Sequence, residues 1–367
     1  MMDAEKTPLK SRVSLAQQIV EVLRGEIGVR FKPGERLPGM RLLCRRFGVS
    51  INTVGAAIDL LARDGLIIVR QGSGVYVADR CPRRRVGILS ELNLFHPGIG
   101  RFYPAVADAL KARLEERGEE VRLYVGTALG TADESGDSTC PGFWADAEAG
   151  HLAGAVILTT KSTSAFGERL HACPIPMVGD KTEFSAILDT AGIITAAVRR
   201  LAAHGCRRLG LLSWRTVEPF RRAVKECGLA TDDAWIRSDL NPAVRGAGWD
   251  EFREIWGAGG QKPDGLVILD DMLYHDAQMA MFELGVRVPG DLHLVVQTSR
   301  GASPPSRLPV DAIEVDPVEL ASALADLLGR RLGGEPLAPV TRILSYREVR
   351  AESGAAKARR VARAARG

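Results

Sequence analysis

Apolar positions near the start of the chain repeat with a helical period. Leu15, Ile19, Val22 and Leu23 recur between Ser14 and Arg24, with Gln17, Gln18, Glu21 and Arg24 falling elsewhere. This spacing predicts an amphipathic helix that buries the first set. FKPGERLP (31–38) stops it, and MRLLCRRF (40–47) predicts a second, short helix that Gly48 can end in a left-handed conformation. Ser50 supplies an N-cap hydroxyl for a third helix, in which Ile51, Val54, Ile58 and Leu61 form the expected buried stripe and Gly65 marks the end. LIIVRQGSGVYVA (66–78) is apolar on both sides of Gln71–Gly74, the pattern of a β-hairpin with a glycine-rich tip. Only Gly48, Val49 and Ser50 separate the second and third helices. Three helices and a hairpin in this order, with that short turn, make a winged helix-turn-helix.

From residue 85 the pattern changes. RVGILS, EVRLYVG, AGAVILTT, IPMVGD, RRLGLLS and DGLVILDD are short apolar runs bounded by Gly, Pro or Asp, and helical stretches such as FYPAVADALKARLEERG lie between them. Repeated βα alternation predicts parallel sheets covered on both faces. The segment is long enough for one large α/β unit or two Rossmann-like lobes, and in such folds ligands bind where strand C-termini face a cleft.

Charge separates these two regions further. Residues 1–85 hold 16 Lys and Arg against 8 Asp and Glu, and residues 351–367 hold 5 against 1. The whole chain carries only +4, so the intervening segment is acidic by 8 charges. A basic first module on an acidic body points to a polyanion as partner of the first alone. The Ala/Arg-rich end AAKARRVARAARG lacks a large apolar stripe and is expected to be frayed. At 367 residues and 46% hydrophobic composition, two or three globular domains are expected. No apolar run is long enough to span a bilayer and the first residues have no apolar leader core, so a cytoplasmic protein without a membrane partner is expected. The six cysteines form no CxxC pair, which leaves neither a zinc site nor a redox motif to expect.

The words PGERLPGMRLL, FGVSINTV, AIDLLARDGLI and RQGSGVYV, spread over about residues 11–78, resemble the GntR-type winged-helix regulators. The resemblance implies that the third helix enters the DNA major groove, the hairpin tip reaches the minor groove and the second helix contacts phosphate. Arg41 occupies the family's arginine position on the second helix, and Arg45 and Arg46 follow it; a solvated basic face is the alternative for all three. Ser50, Asn52 and Thr53 open the recognition helix, where short polar side chains either reach the DNA or cap the helix. Arg70, Gln71 and Gly72 stand at the wing. The family usually has Arg where Ile51 and Gly55 stand here, so base reading is expected to shift to Asn52, Thr53, Arg70, Gln71 and DNA shape.

The second region resembles the LacI/GalR-type ligand-binding domain over about residues 86–349. The likeness is carried by ILDTAGIITAAVRRLAAHGCRRLGLLS, PDGLVILDDMLYHDAQMAMFELGVRVPGDLHLVV and VDAIEVDPVELASALADLLGRRLGGEP. It implies a fold similar to type I periplasmic binding proteins, with two lobes crossed by three linking strands and closing on a small molecule. Asp271 matches the family's cleft aspartate, though it also reads as an N-cap for the helix Met272 to Leu284. Arg215 lies one residue away from a ligand-binding arginine position and, with Trp214, makes a platform for a sugar face. The loop from Glu91 to Phe102, with Tyr103, and the segment from Gln297 to Arg300 sit at strand ends facing the cleft. Trp249 and Arg245 fall in a loop where the family often carries an aromatic, with loop packing as the alternative.

The expected architecture is therefore α/β: a winged helix-turn-helix over 1–78, a linker over 79–85, a two-lobed Rossmann-like effector domain over 86–350 and a basic tail over 351–367. The expected function is that of a homodimeric repressor on a two-fold DNA operator, controlled by a sugar-like effector and using no cofactor. An architectural DNA-binding protein whose sensor has lost its ligand is the alternative. An enzyme is not expected. GxSxG, HExxH and P-loop patterns are missing, and the five lysines of 86–350 have no setting of the kind a pyridoxal-phosphate domain, found fused to some GntR-like readers, would need.

Overall fold

The computed structural model describes residues 14–27, 30–78, 85–96, 98–128, 140–159, 168–170, 172–173, 175–214, 217–240, 244, 246–303 and 306–351. The chain divides into two compact units, Met1–Arg85 and Val86–Gly367. The basic tail lies outside the described residues from Glu352 onward, as does the linker apart from Arg85.

In the first unit, α1 (Leu15–Glu26), α2 (Met40–Phe47) and α3 (Ile51–Arg63) precede β1 (Ile67–Arg70) and β2 (Gly74–Val77). The two strands pair antiparallel from Ile67↔Val77 to Arg70↔Gly74. One core holds Ile19, Leu23, Leu43, Val54, Ile58, Leu61 and Val77 together. Two of the expected stripes are rotated. In α1, Gln18 and Val20 are buried with Ile19 and Leu23, whereas Leu15 is 48% exposed. A row stepping by four residues drifts about 40° per step, which turns Leu15 about 80° away from the buried Leu23. In α3, Val54, Ala57, Ile58 and Leu61 are buried but Ile51 is 55% exposed, because it lies at the edge of that arc and at the helix's free end.

The second unit has two lobes. In the first, β3 (Arg85–Leu92), β4 (Val121–Ala128), β5 (Leu152–Thr159) and β6 (Met177–Gly179) form a sheet in the order β4-β3-β5-β6. Alternate residues of β5 face opposite cores: Val156 and Leu158 pack against α4 (Phe102–Glu116), while Ala155 and Ile157 pack against α5 (Pro141–Glu148). The second lobe is built on β8 (Leu209–Leu212), β9 (Ile236–Arg237), β10 (Gly265–Ile268), β11 (His293–Ser299), β12 (Asp311–Val315) and β14 (Arg347–Val349), in the order β14-β12-β11-β10-β8-β9. Only the β12–β14 pair in this sheet is antiparallel. α6 (Thr190–Ala203) and α7 (Glu218–Glu226) cover one face, and α8 (Trp249–Gly257) and α9 (Asp271–Glu283) cover the other.

Three passages join the lobes. β7 (Phe184–Leu188) leads out of the first lobe into α6, and β13 (Val340–Leu344), paired parallel with β7, leads into β14. The remaining passage is the step from β12 into α10 (Pro317–Leu332), where a linking strand was expected. Leu320, Ala321, Leu324, Leu327 and Leu328 of α10 pack into the first lobe's core beside Val106, Leu110 and Leu114 of α4.

Gly179 ends β6 at φ +111°, and a Cβ there would stand 2.0 Å from the Ile157 carbonyl oxygen. Gly179→Ala is therefore expected to lower the unfolding free energy of the second unit by about 3 kcal/mol, through backbone strain and overpacking together. Urea unfolding followed by circular dichroism measures it, and a loss below about 1 kcal/mol would contradict the close contact.

Candidate functional site

The turn between α2 and α3 is built by Gly48, which ends α2 at φ +66° with its N–H donating to the Cys44 carbonyl. Ser50 then caps α3: its Oγ accepts from the Thr53 N–H at 3.3 Å and lies 2.9 Å from Thr53 Oγ1. Both hydroxyls are thus engaged within the helix terminus, while Asn52 beside them is exposed. Ile51 adds an exposed apolar side chain to the same first turn. A Cβ on Gly55 would meet only Met40 Cε, at 3.8 Å, so packing does not require glycine one turn further along.

The three arginines of α2 do different things. Arg41 and Arg45 are exposed. Arg46 instead makes a two-pronged ion pair with Glu26 at the end of α1, Nη1 to Oε2 at 2.7 Å and Nη2 to Oε1 at 2.5 Å, and its guanidinium lies 5.0 Å from the Phe47 ring centre. That pair holds the Glu26 carboxyl below its usual value. Arg46 therefore clamps α2 to α1, the part of the expected phosphate-contacting set that the fold itself uses. At the wing, Gln71 and Gly72 are exposed, Gly72 at φ +74°. Arg70 stacks over Tyr76, whose hydroxyl is 2.8 Å from Ser73 Oγ. Arg36 is a further cation here that sequence spacing did not single out. Its guanidinium lies against Gly74, where a Cβ would stand 2.7 Å from Nε.

In the second unit, the loop after β3 in the first lobe comes up to the start of α9 in the second, which marks the cleft between the lobes. Ser90 and Glu91 of β3 are buried, and Ser90 Oγ lies 2.9 Å from Thr159 Oγ1 at the end of β5. Phe102 and Tyr103 begin α4 in an edge-to-face pair 5.4 Å apart, and Phe102 packs against the cores of both lobes. Across the cleft, Asp270 is the N-cap of α9, with Oδ1 accepting from the N–H groups of Met272 (2.7 Å) and Leu273 (3.0 Å). The capping role that the sequence offered to Asp271 thus belongs to its neighbour. Asp271 is buried, accepts from Ser303 Oγ at 2.8 Å, and approaches the backbone of Gly100 from the opposite lobe. A Cβ on Gly100 would lie 3.3 Å from Asp270 Oδ2 and 3.6 Å from Asp271 Oδ1.

The loop residue Gly100, two positions before Phe102, is thus brought to Asp271, and Ser303, which sequence reasoning did not single out, donates to that carboxylate. Trp214 is half-buried just beyond β8, whereas Arg215 and Arg245 lie outside the described residues. Gln297 is half-buried within β11, in register with Ile313. Arg300 is directed at acids, 3.0 Å from Asp316 and 3.9 Å from Glu314. Trp249 opens α8 and is not in a loop; it packs on the core of the second lobe beneath the Arg253 guanidinium, 4.5 Å from its ring centre. Among the described residues, no group of three or more His, Cys, Asp or Glu could hold a metal ion, and no helix is long and apolar enough to cross a membrane.

Comparison with known proteins matches both units. Residues 15–77 fit the family of bacterial regulatory proteins, gntR family, and residues 198–353 fit the periplasmic binding protein-like domain. The HTH-type transcriptional regulator Rv0792c of Mycobacterium tuberculosis is 41% identical over 71 residues, and YdcR of Escherichia coli, also an HTH-type transcriptional regulator, is 45% identical over 64. These stretches cover 19% and 17% of this chain, and 26% and 14% of the relatives. Among solved structures, the complex of the transcriptional regulator CelR with cellobiose has a TM-score of 0.59 at 19% identity, covering 87% of this chain and 100% of that one. A LacI family transcriptional regulator from Lactobacillus casei with bound sucrose gives 0.57 at 14% identity, covering 73% and 99%. At these identities the likeness is one of fold. The chain joins a GntR-type helix-turn-helix domain to a periplasmic-binding-protein-like domain of the kind found in LacI-family regulators.

Arg46→Ala leaves the Glu26 carboxylate without its main partner and is expected to cost the first unit about 1–2 kcal/mol at pH 7. Because the folded carboxyl titrates below the usual 4.5, the pair's contribution is present above that pH and lost as pH falls through the lower folded value. The deficit should shrink correspondingly in urea titrations carried into acid, and a pH-independent deficit would assign the loss to packing instead.

Proposed function

We propose that this protein is a DNA-binding transcriptional repressor whose grip on a two-fold operator is set by a sugar-like molecule held in the cleft of its second unit. Residues 1–78 are the reader, 79–85 the linker, 86–350 the sensor and 351–367 a basic tail. The reader uses Arg41, Arg45 and the wing residues Arg70, Gln71 and Gly72 on the DNA backbone and minor groove. Asn52 presents its amide to base edges, and Ser50 and Thr53 fix the start of the recognition helix. The protein works in the cytoplasm as a homodimer, because one reader on one half-site lacks the affinity and specificity that two provide.

The observation that carries the sensor reading is the division of labour between two adjacent aspartates. Asp270 satisfies the first amides of α9, which leaves the buried Asp271 carboxylate at the cleft with only Ser303 as a hydrogen-bond donor among the contacts described. A carboxylate there is suited to accept from ligand hydroxyls, with the Phe102–Tyr103 pair and Trp214 offering apolar faces to a sugar ring. The bound cellobiose and sucrose of the two structural neighbours support that class of ligand. A ligand preferring one arrangement of the lobes changes operator affinity by its differential affinity for the two.

The reader is tested by fluorescence anisotropy on operator and random DNA. Arg41→Ala should weaken binding to both and reduce the salt slope by about one, whereas Asn52→Ala should lower the operator's advantage about tenfold. Equal losses on both DNAs for Asn52→Ala would remove its reading role. For the sensor, a saturating sugar should raise the melting temperature of the full chain and release it from operator, and Asp271→Ala should abolish both effects. Operator binding that no sugar alters would favour an architectural role instead.

A further inference from the structure

A second cavity, of about 570 Å³, lies in the first lobe of the second unit, apart from the cleft, between the last turns of α10, the end of α4 and the linking strand β13. Arg117, Asp326, Gly329, Arg330, Glu335 and Arg342 line it. Two of its three guanidiniums are already matched. Arg117 pairs with Asp326 and donates to the Ala325 carbonyl at 2.9 Å, and Arg330 holds Glu335 through Nε at 2.7 Å and Nη2 at 2.5 Å. Arg342 has no carboxylate partner among the described residues.

Its position makes that unusual. Along β13, Val340, Arg342 and Leu344 share one face; Leu344 is buried in the first lobe's core and Val340 packs against it. Arg342, half-buried as a residue, thus stands on a core-facing row between two apolar residues and lines the open recess. Opposite it, α10 carries Gly329 and is capped one turn later by Gly333, and both line the cavity. At Gly329 even a Cβ would come within 3.2 Å of Arg117 Nη1. The arrangement is an open, net-positive recess with one donor fork unclaimed and two more at its rim.

We propose that this recess is a binding site for an oxyanion, the phosphate or carboxylate group of a small metabolite, with Arg342 as its principal donor and Arg117 and Arg330 as flanking charges. It is independent of the sugar cleft and of DNA binding. Because β13 is one of the passages between the lobes, an anion bridging Arg342 to α10 would tie that passage to the first lobe.

The test titrates the full chain with inorganic phosphate in one arm and succinate in the other, each against sodium chloride of equal ionic strength, using calorimetry and thermal shift. Saturable binding in either arm is expected, the tighter arm naming the class, with Arg342→Gln weakening it at least about tenfold and Asp271→Ala leaving it unchanged. Without anion, Arg342→Leu should melt no lower than the parent, since no carboxylate among the described residues pairs with Arg342. The proposal is overturned by responses in both arms no greater than with chloride, by an Arg342→Gln variant that binds like the parent, or by an Arg342→Leu variant that melts lower.

Discussion

The second unit depends on where α10 packs. In sequence it lies between β12 and β14, neighbouring strands of the second lobe's sheet, yet its apolar face is buried against α4 in the first lobe. The burial of Leu320, Leu324, Leu327 and Leu328 there requires the chain to leave one lobe after β12 and return along β13. With β7, this makes three covalent passages between lobes whose cores are otherwise largely separate. Neither lobe's chain is continuous, so the lobes can change their mutual angle only by bending at those passages. One of these joints, β13, borders the cavity around Arg342.

The architecture was legible because periodicity and punctuation agree. The αL turn at Gly48, the Ser50 cap and the glycine-rich hairpin tip are each set by local chemistry, and the predicted strands of the second unit fall where short apolar runs placed them. Helix faces were less legible, because an apolar residue at a helix end satisfies the period without having anything to pack against. Leu15 and Ile51 are the two cases. Gln18 is the converse, a polar residue that the arc facing α3 takes inside.

The candidate sites were legible by residue type and opaque by partner. Sequence placed three arginines on α2 but could not show that Glu26, twenty residues earlier, takes one of them. It placed Arg300 near the cleft but not Asp316, toward which that side chain turns. It offered the helix cap to Asp271, whereas the first amides of α9 face Asp270, one residue earlier. Ser303 and Arg342 carried no signal at all, since their roles come from elements distant in sequence.

Gly100 gives the cleft a property that no polar group in it supplies. The residue belongs to the loop of one lobe, and the space where its side chain would stand is bounded by the carboxylates of both aspartates of the other. The two lobes thus approach each other here across a position that carries no side chain. An alanine would ask the Asp270 carboxylate to give by a few tenths of an ångström, and each larger residue would take more of the space between loop and helix. Room beside the two carboxylates is thereby set by a residue that offers no side-chain hydrogen bond of its own.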